Sequence, residues 1–347
     1  MRRSTRLLPL ACALLLVVAC ASAAPPDRPF APTPVRGAIE MPAPFVTPTP
    51  IAPGVVPADD DARIHEIVAA VSPQRLESDV RALVGFGTRH TLSDTISKTR
   101  GIGAARRWIF AEFEKISREC GGCLEVRYVS EVIPGGTHPR IPQDVEIVNV
   151  VAIQRGRVDP DRYVIMSGDI DSRVSDVLNA TADSPGANDN ASGVAGTIEA
   201  ARVLSRYPTD ASIVYAALSG EEQGLFGGAV LARYAKQHGW KIEAVINNDM
   251  IGNIEGITGI IDNTSARVFA PGIPATATEA ELRRILTTGG ELDTPSRQIA
   301  RYIRSTAERY VPNLEVKLIY RLDRFGRGGH HTPFFNEGFP AVRLMEA

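Results

Sequence analysis

Acidic side chains follow short apolar runs at several points in the sequence, where they are suited to bind cations or to move protons. Two further polar groups lie in Gly-containing turns, namely Asp189 within Pro185–Asn190 and the pair His330 and His331. The acids with the runs they follow are Asp169 and Asp171 after 163–166, Glu221 and Glu222 after 213–218, and Asp249 after 244–246.

The elements that must position these side chains alternate along the chain. From about Asp61 onward, near-continuous apolar runs alternate with amphipathic helical patterns, which predicts an α/β fold with a mostly parallel mixed sheet and helices on both faces. Residues 253–293 are rich in Gly, Thr and Pro and predict an insert of loops or a small lobe. Strands are predicted at 124–132, 147–153, 163–166, 213–218, 244–246, 316–320 and 341–345, and helices at 72–83, 101–116, 193–204, 229–238 and 299–311.

In such a sheet, ligands bind at the carboxyl ends of the strands, so the acidic groups are expected to converge there. Several carboxylates at one edge repel each other unless a cation neutralises them, which favours a metal site. Taken singly, each feature has a commoner explanation: a Glu-Glu pair is usually surface, an Asp before a helix is usually an N-cap, and a His pair usually faces solvent. The combination is what indicates chemistry.

These motifs resemble those of the secreted zinc exopeptidases with two adjacent metal ions, a family of aminopeptidases and some carboxypeptidases that is related to the single-zinc glutaminyl cyclases. The resemblance begins near Phe86–His90 and runs to the last residue. Its most specific stretches are PGANDNASG at 185–193, ALSGEEQGLFG at 217–227, NNDM at 247–250 and GGHHTPF at 328–334.

The resemblance implies an exported metallo-exopeptidase, most simply an aminopeptidase that acts on peptides. A metal-activated water would attack the scissile carbonyl while a carboxylate takes its proton. The implied roles are Asp189 as the bridge between two zinc ions, Glu222 and Asp249 as ligands of one ion each, His331 as the final ligand, Glu221 as general base, and Asp171 as the acid that orients the first ligand.

Two positions depart from the family pattern. The first metal ligand is normally a His, but Asp169 stands there, and an all-carboxylate shell of Asp169, Asp189 and Asp249 would be weak or would favour Mn or Mg. His330 stands where the family often has Asp, so it either changes the surroundings of the site or offers another nitrogen ligand.

Two other functions remain open at this stage. One is a single-metal, glutaminyl-cyclase-like transferase that uses Asp189, Glu222 and His331, and the other is an inactive homologue that acts as a binding protein. The chain also ends shortly after the strand that follows His331, whereas family members usually continue. Tyr320, Arg324 and Arg327 are candidates to stabilise an oxyanion, although surface charge is the commoner interpretation. Oligomeric state is not predicted.

The N-terminus predicts export. Three arginines, the apolar run 7–19 and the small residues 19–24 match a signal peptide over residues 1–24. Val17–Cys20 also resembles a lipobox, so lipidation of Cys20 and attachment to a membrane is the alternative to a freely periplasmic or secreted protein. Residues 25–57 contain 11 prolines, which predicts a disordered tether over 25–60, before a catalytic domain at 61–347.

The remaining composition narrows the function classes. Lys and Arg total 38 against 40 Asp and Glu, which gives no basic excess for a nucleic-acid partner. Outside the signal peptide only Cys120 and Cys123 remain, and in an exported protein such a close pair predicts a disulfide. A thioredoxin-like redox centre is disfavoured because a helical pattern precedes this pair and a strand pattern follows it.

Overall fold

The structure, a computed structural model, describes residues 60–274 and 277–347. These residues contain one mixed sheet of eight strands in the order β1-β2-β4-β3-β5-β8-β6-β7. The strands are β1 (Leu124–Ile133), β2 (Val145–Gln154), β3 (Asp159–Asp169), β4 (Ala211–Leu218), β5 (Lys241–Asn248), β6 (Ser265–Phe269), β7 (Glu315–Ile319) and β8 (Ala341–Glu346). The predicted α/β class is confirmed.

The centre of the sheet is parallel and its flanks are mixed. Strand β3 pairs in parallel with β4 and β5, and β5 pairs in parallel with β8. Strand β2 is antiparallel to both β1 and β4, and β6 is antiparallel to β8 but parallel to β7. Because β3, β4 and β5 run in the same direction, their carboxyl ends lie at the same edge of the sheet.

Helices cover both faces of the sheet. The helices are α1 (Ala62–Ala69), α2 (Pro73–Val84), α3 (Gly101–Glu119), α4 (Ser192–Leu204), α5 (Phe226–Gln237), α6 (Glu279–Thr288), α7 (Pro295–Tyr310) and α8 (His331–Asn336). One buried cluster joins α2, α3 and α4 to one face of the sheet, and another joins α5 and α8 to the other face. Val150 belongs to the first cluster and the next residue, Val151, to the second, as expected for a strand buried on both faces.

Every predicted strand and helix is found, and the elements that were not predicted are short or polar. Ser72 caps α2 by accepting a hydrogen bond from the Arg75 N–H at 3.3 Å, as the Ser-Pro start signal predicts. Helices α1, α6 and α8 and strand β6 were not predicted. Strand β6 lies inside the expected insert, so the interpretation of 253–293 as loops or a separate lobe needs correction: Ser265–Phe269 belongs to the main sheet.

The predicted disulfide is confirmed, since Cys120 and Cys123 are bonded in the turn between α3 and β1. Within the described residues, no helix is both long and apolar enough to cross a membrane. The predicted signal peptide (1–24), Cys20 and the tether up to residue 59 lie outside the described residues.

Candidate active site

Four of the predicted site residues line one cavity of about 300 Å³: Asp189, Glu221, Glu222 and Asp249. Glu221 and Glu222 follow β4, and Asp249 follows β5, at the carboxyl edge of the sheet. Asp189 reaches the same cavity from the loop that enters α4. The expected convergence of these acids is therefore observed.

The loop that carries Asp189 is shaped by a buried arginine. Arg89, 1% exposed, donates hydrogen bonds to the carbonyls of Ile170 at 2.7 Å, Pro185 at 2.7 Å and Gly186 at 2.8 Å. Gly186 has φ 47°, and a Cβ there would lie 2.4 Å from the Asp189 carbonyl oxygen. No role for Arg89 could be predicted from the sequence, because most of its acceptors are backbone groups distant in the chain.

Asp171 holds the backbone of the Glu221–Glu222 turn. Its Oδ1 accepts the Glu221 N–H at 3.1 Å, and its Oδ2 accepts the Glu222 N–H at 3.0 Å. The Thr91 hydroxyl donates to Oδ2 at 2.8 Å. The contacts show that Asp171 fixes the backbone of the two glutamates, and its expected role in orienting the first metal ligand stays a prediction.

The clustered acids resist ionisation. Burial, followed by the negative charges of Asp249 and Asp169, raises the pKa of Glu221 well above its usual range. Burial, followed by the charge of Asp189, raises the pKa of Glu222 to about 7, and burial also raises the pKa of Asp249. A cation in the cavity would relieve this repulsion.

Arginine side chains contact two of these acids. Arg173 Nε lies 2.5 Å from Glu222 Oε2, and Arg343 Nη2 lies 3.0 Å from Asp249 Oδ2. Arg324 and Arg327, two candidates for oxyanion stabilisation, also line the cavity. Sequence reasoning missed Arg173 and Arg343, although Arg173 stands only two residues after Asp171.

Asp169 is buried behind the cavity and does not line it. It is 1% exposed, and its Oδ1 lies 2.5 Å from Nδ1 of the fully buried His330. Its Oδ2 accepts a hydrogen bond from Asn190 Nδ2 at 2.7 Å. The two positions that depart from the family pattern are therefore in direct contact.

His331 is the first residue of α8 and is also fully buried. Its Nε2 lies 2.7 Å from the Leu322 carbonyl oxygen, while its Nδ1 has no hydrogen-bond partner among the described residues. Burial lowers the pKa of His331 to about 4, so at neutral pH the ring is in the neutral form that binds metal ions. A Cβ on Gly329 would lie 3.1 Å from this Nδ1, which explains the small residue there.

Comparison with known proteins identifies the family. The model of peptidase family M28 matches residues 149–347. A probable zinc metalloprotease of Leptosphaeria maculans is 43% identical over 84% of this chain and 68% of its own length. The chain belongs to peptidase family M28. A probable zinc metalloprotease of Pyrenophora tritici-repentis is 42% identical over 86% of this chain, which spans 62% of that relative.

Solved structures share the fold of this M28 chain. The LapA aminopeptidase of Legionella pneumophila superposes with a TM-score of 0.58 at 17% identity, covering 84% of this chain and 66% of LapA. The glutaminyl cyclase of Porphyromonas gingivalis superposes with a TM-score of 0.52 at 18% identity, covering 80% of this chain and 84% of the cyclase. At these identities the likeness concerns the fold.

The side chains of the described residues of this M28 chain do not already form a metal site. As the side chains are placed, no group of three or more His, Cys, Asp or Glu within 60–274 and 277–347 is arranged to hold an ion. His331 Nδ1 is a buried donor atom with no hydrogen-bond partner in the described chain, and Asp189 and Glu222 line the same cavity. Asp169 and Asp249, in contrast, are held by His330 and Arg343. The two-ion arrangement stays a prediction.

Proposed function

We propose that this chain is a zinc-dependent exopeptidase that removes residues from the N-termini of peptides. The observation that carries the proposal is the meeting of Glu221, Glu222, Asp189 and Asp249 in one cavity at the carboxyl edge of the sheet. The fungal relatives named probable zinc metalloproteases support both the metal and the reaction class.

Asp189, Glu222 and His331 would hold the ion, since two carboxylates and a neutral imidazole are donors that zinc accepts. When bound, zinc supplies a Lewis acid that makes a water molecule easier to deprotonate. Glu222 would exchange its ion pair with Arg173 for the metal. Asp249, the predicted ligand of the other ion, would stay beside this centre.

Glu221 carries the proton in this proposal. It lines the cavity, and within the described residues its carboxylate has no hydrogen-bond or ion-pair partner. It accepts a proton from water as the water oxygen bonds to the scissile carbonyl carbon, and returns that proton to the amine as the C–N bond breaks. Asp171 keeps Glu221 in position through its backbone N–H. Arg324 and Arg327 supply positive charge for the oxyanion.

A single-zinc transferase that cyclises N-terminal glutamine is the second candidate. The observation that favours it is the engagement of Asp169 by His330 and Asn190, which leaves ligands for one ion. The two candidates differ in product, because the transferase releases ammonia from a glutaminyl peptide and leaves every peptide bond intact.

The test compares wild type with Glu221→Gln, each measured for zinc content and for turnover of aminoacyl anilides, short peptides and a glutaminyl peptide. We expect wild type to bind zinc and release N-terminal residues, and Glu221→Gln to bind zinc but lose turnover. Glu77→Gln, an exposed change on α2, is the matched control. Zinc binding with no turnover of any substrate in either protein would favour the binding-protein alternative.

Export is part of the proposal, with residues 1–24 as signal peptide and lipidation of Cys20 as the membrane-anchored form. Mass spectrometry of the mature N-terminus distinguishes cleavage after a small residue from an acylated Cys20.

A further inference from the structure

Both oxygens of the Asp169 carboxylate are engaged by hydrogen-bond partners within the protein. Its Oδ1 faces His330 Nδ1 at 2.5 Å and Asn247 Nδ2 at 3.3 Å, and its Oδ2 accepts from Asn190 Nδ2 at 2.7 Å. An ionised carboxylate only accepts hydrogen bonds, so His330 Nδ1 must be the donor. Freeing Asp169 for an ion would leave the His330 donor and one of the two Asn190 amide hydrogens buried without a partner, because the other hydrogen is bound by the Asn248 carbonyl at 2.8 Å.

Asp249 is engaged by a guanidinium that is itself fixed in place. Arg343, 1% exposed, contacts Asp249 at 3.0 Å, donates to Asp323 Oδ2 at 2.6 Å and donates to the Gly328 carbonyl at 3.0 Å. A divalent ion bound between Asp169 and Asp249 would lie beside this positive charge, which repels it.

We propose that this chain binds one divalent ion, at Asp189, Glu222 and His331, and that hydrogen bonds within the protein replace the other ion of the family's pair. This inference rests on the proposed function and goes beyond it by assigning Asp169 and His330 to a buried acid–imidazole pair. Arg343 provides the positive charge that Asp249 would otherwise receive from a metal.

Compared with the family pattern, Asp169 and His330 have exchanged residue types. The resemblance places His at position 169 and Asp at position 330, and this chain has Asp169 and His330 in contact. Exchanging them back by Asp169→His with His330→Asp keeps one acid and one imidazole in the same buried space. It also restores a nitrogen donor at position 169.

The experiment saturates each purified protein with zinc, removes the excess by gel filtration and measures zinc per chain. Wild type is expected to hold one ion and the double exchange two. A parallel titration with Mn²⁺, followed by electron paramagnetic resonance, is expected to show an isolated ion in wild type and a spin-coupled pair in the double exchange. Neither readout depends on activity.

Asp169→Asn is the variant that keeps the test decisive if the double exchange does not fold. Because Asp169 is not a ligand in this proposal, Asp169→Asn is expected to retain one ion with an affinity within about threefold of wild type. A tenfold or greater loss of affinity, or two ions in wild type, would overturn the inference while leaving the proposed peptidase intact. No ion in wild type would instead remove the proposed function and the inference with it.

Discussion

Two groups of acidic side chains are shielded from solvent in this protein, and they differ in how many of their acids are paired with an arginine. The helix cluster consists of Asp79 on α2, Glu112 on α3 and Glu199 on α4, with Arg75 and Arg202 between them. Arg202 binds both oxygens of Glu199 at 2.7 and 2.5 Å, and Arg75 lies 3.1 Å from Glu112. Two of its three acids are thus hydrogen-bonded to a guanidinium.

The cavity cluster has arginines at similar distances, but only two of its four acids are paired with one. Its members are Asp189, Glu221, Glu222 and Asp249. Glu222 and Asp249 contact Arg173 and Arg343, whereas Asp189 and Glu221 have no side-chain partner among the described residues. In the helix cluster, the Arg75–Glu112 pair joins α2 to α3, and Glu199 on α4 accepts the Ser72 N–H at the start of α2 at 2.6 Å. The unpaired acids of the cavity cluster leave carboxyl oxygens available to a ligand, which is what a reaction site requires.

The largest expected effect is a loss of activity when an acid of the cavity cluster is replaced. Glu221→Gln should lower peptidase turnover about 1000-fold, because the proton acceptor is lost. Its thermal midpoint should stay unchanged or rise, since a repelled buried charge is removed. Initial rates and thermal melts measured on the same preparation check both parts, and a tenfold or smaller loss of rate would exclude Glu221 as general base.

Metal binding should depend on the cavity cluster and His331, and not on the helix cluster. Asp189→Asn should weaken zinc binding at least 100-fold, since it removes a ligand charge from a site with few ligands. Calorimetric titration measures the affinity. Asp183→Asn, an exposed change near the same loop, is the control and should bind zinc as wild type does. Equal affinities in all three proteins would remove Asp189 from the metal site.

The helix cluster should instead control stability. Glu199→Gln should lower the free energy of unfolding by about 2 kcal/mol, because it breaks a buried pair and leaves Arg202 without its counter-charge. Turnover per folded molecule should not change. Urea unfolding gives the first quantity and active-site-normalised rates the second. A loss below about 0.5 kcal/mol would mean that the helix cluster does not hold the helices together.

The smallest effect concerns the acid of the helix cluster that lacks a close partner. Burial raises the pKa of Asp79 from 3.8 to about 6, although Arg75 lies 3.7 Å away. The folded state therefore binds a proton more tightly than the unfolded chain, so this group lowers stability as pH rises from about 4 to 6. Asp79→Asn should remove that decline, so the variant should be more stable than wild type at pH 7 but not at pH 3.5. Unfolding curves across this pH range measure it; a variant that follows the wild-type pH profile would contradict the assignment.

Much of the fold and of the cavity could be predicted because the signals are local. The strands β3, β4 and β5 appear as apolar runs, and the acids that follow them must share an edge once the strands run in parallel. The strand β6 and the short helix α8 escaped prediction because five or six residues carry too little periodicity to be distinguished from loop.

Composition and periodicity therefore established the α/β class, the disulfide between Cys120 and Cys123, and the acids that gather at the edge of the sheet. They did not determine which partner each acid takes. Asp169 meets His330 across 161 positions of chain, and Asp249 meets Arg343 from a strand that only the folded sheet brings alongside β5. Patterns along a sequence describe neighbours along the backbone, whereas pairing of buried charges depends on distances that arise when the layers pack.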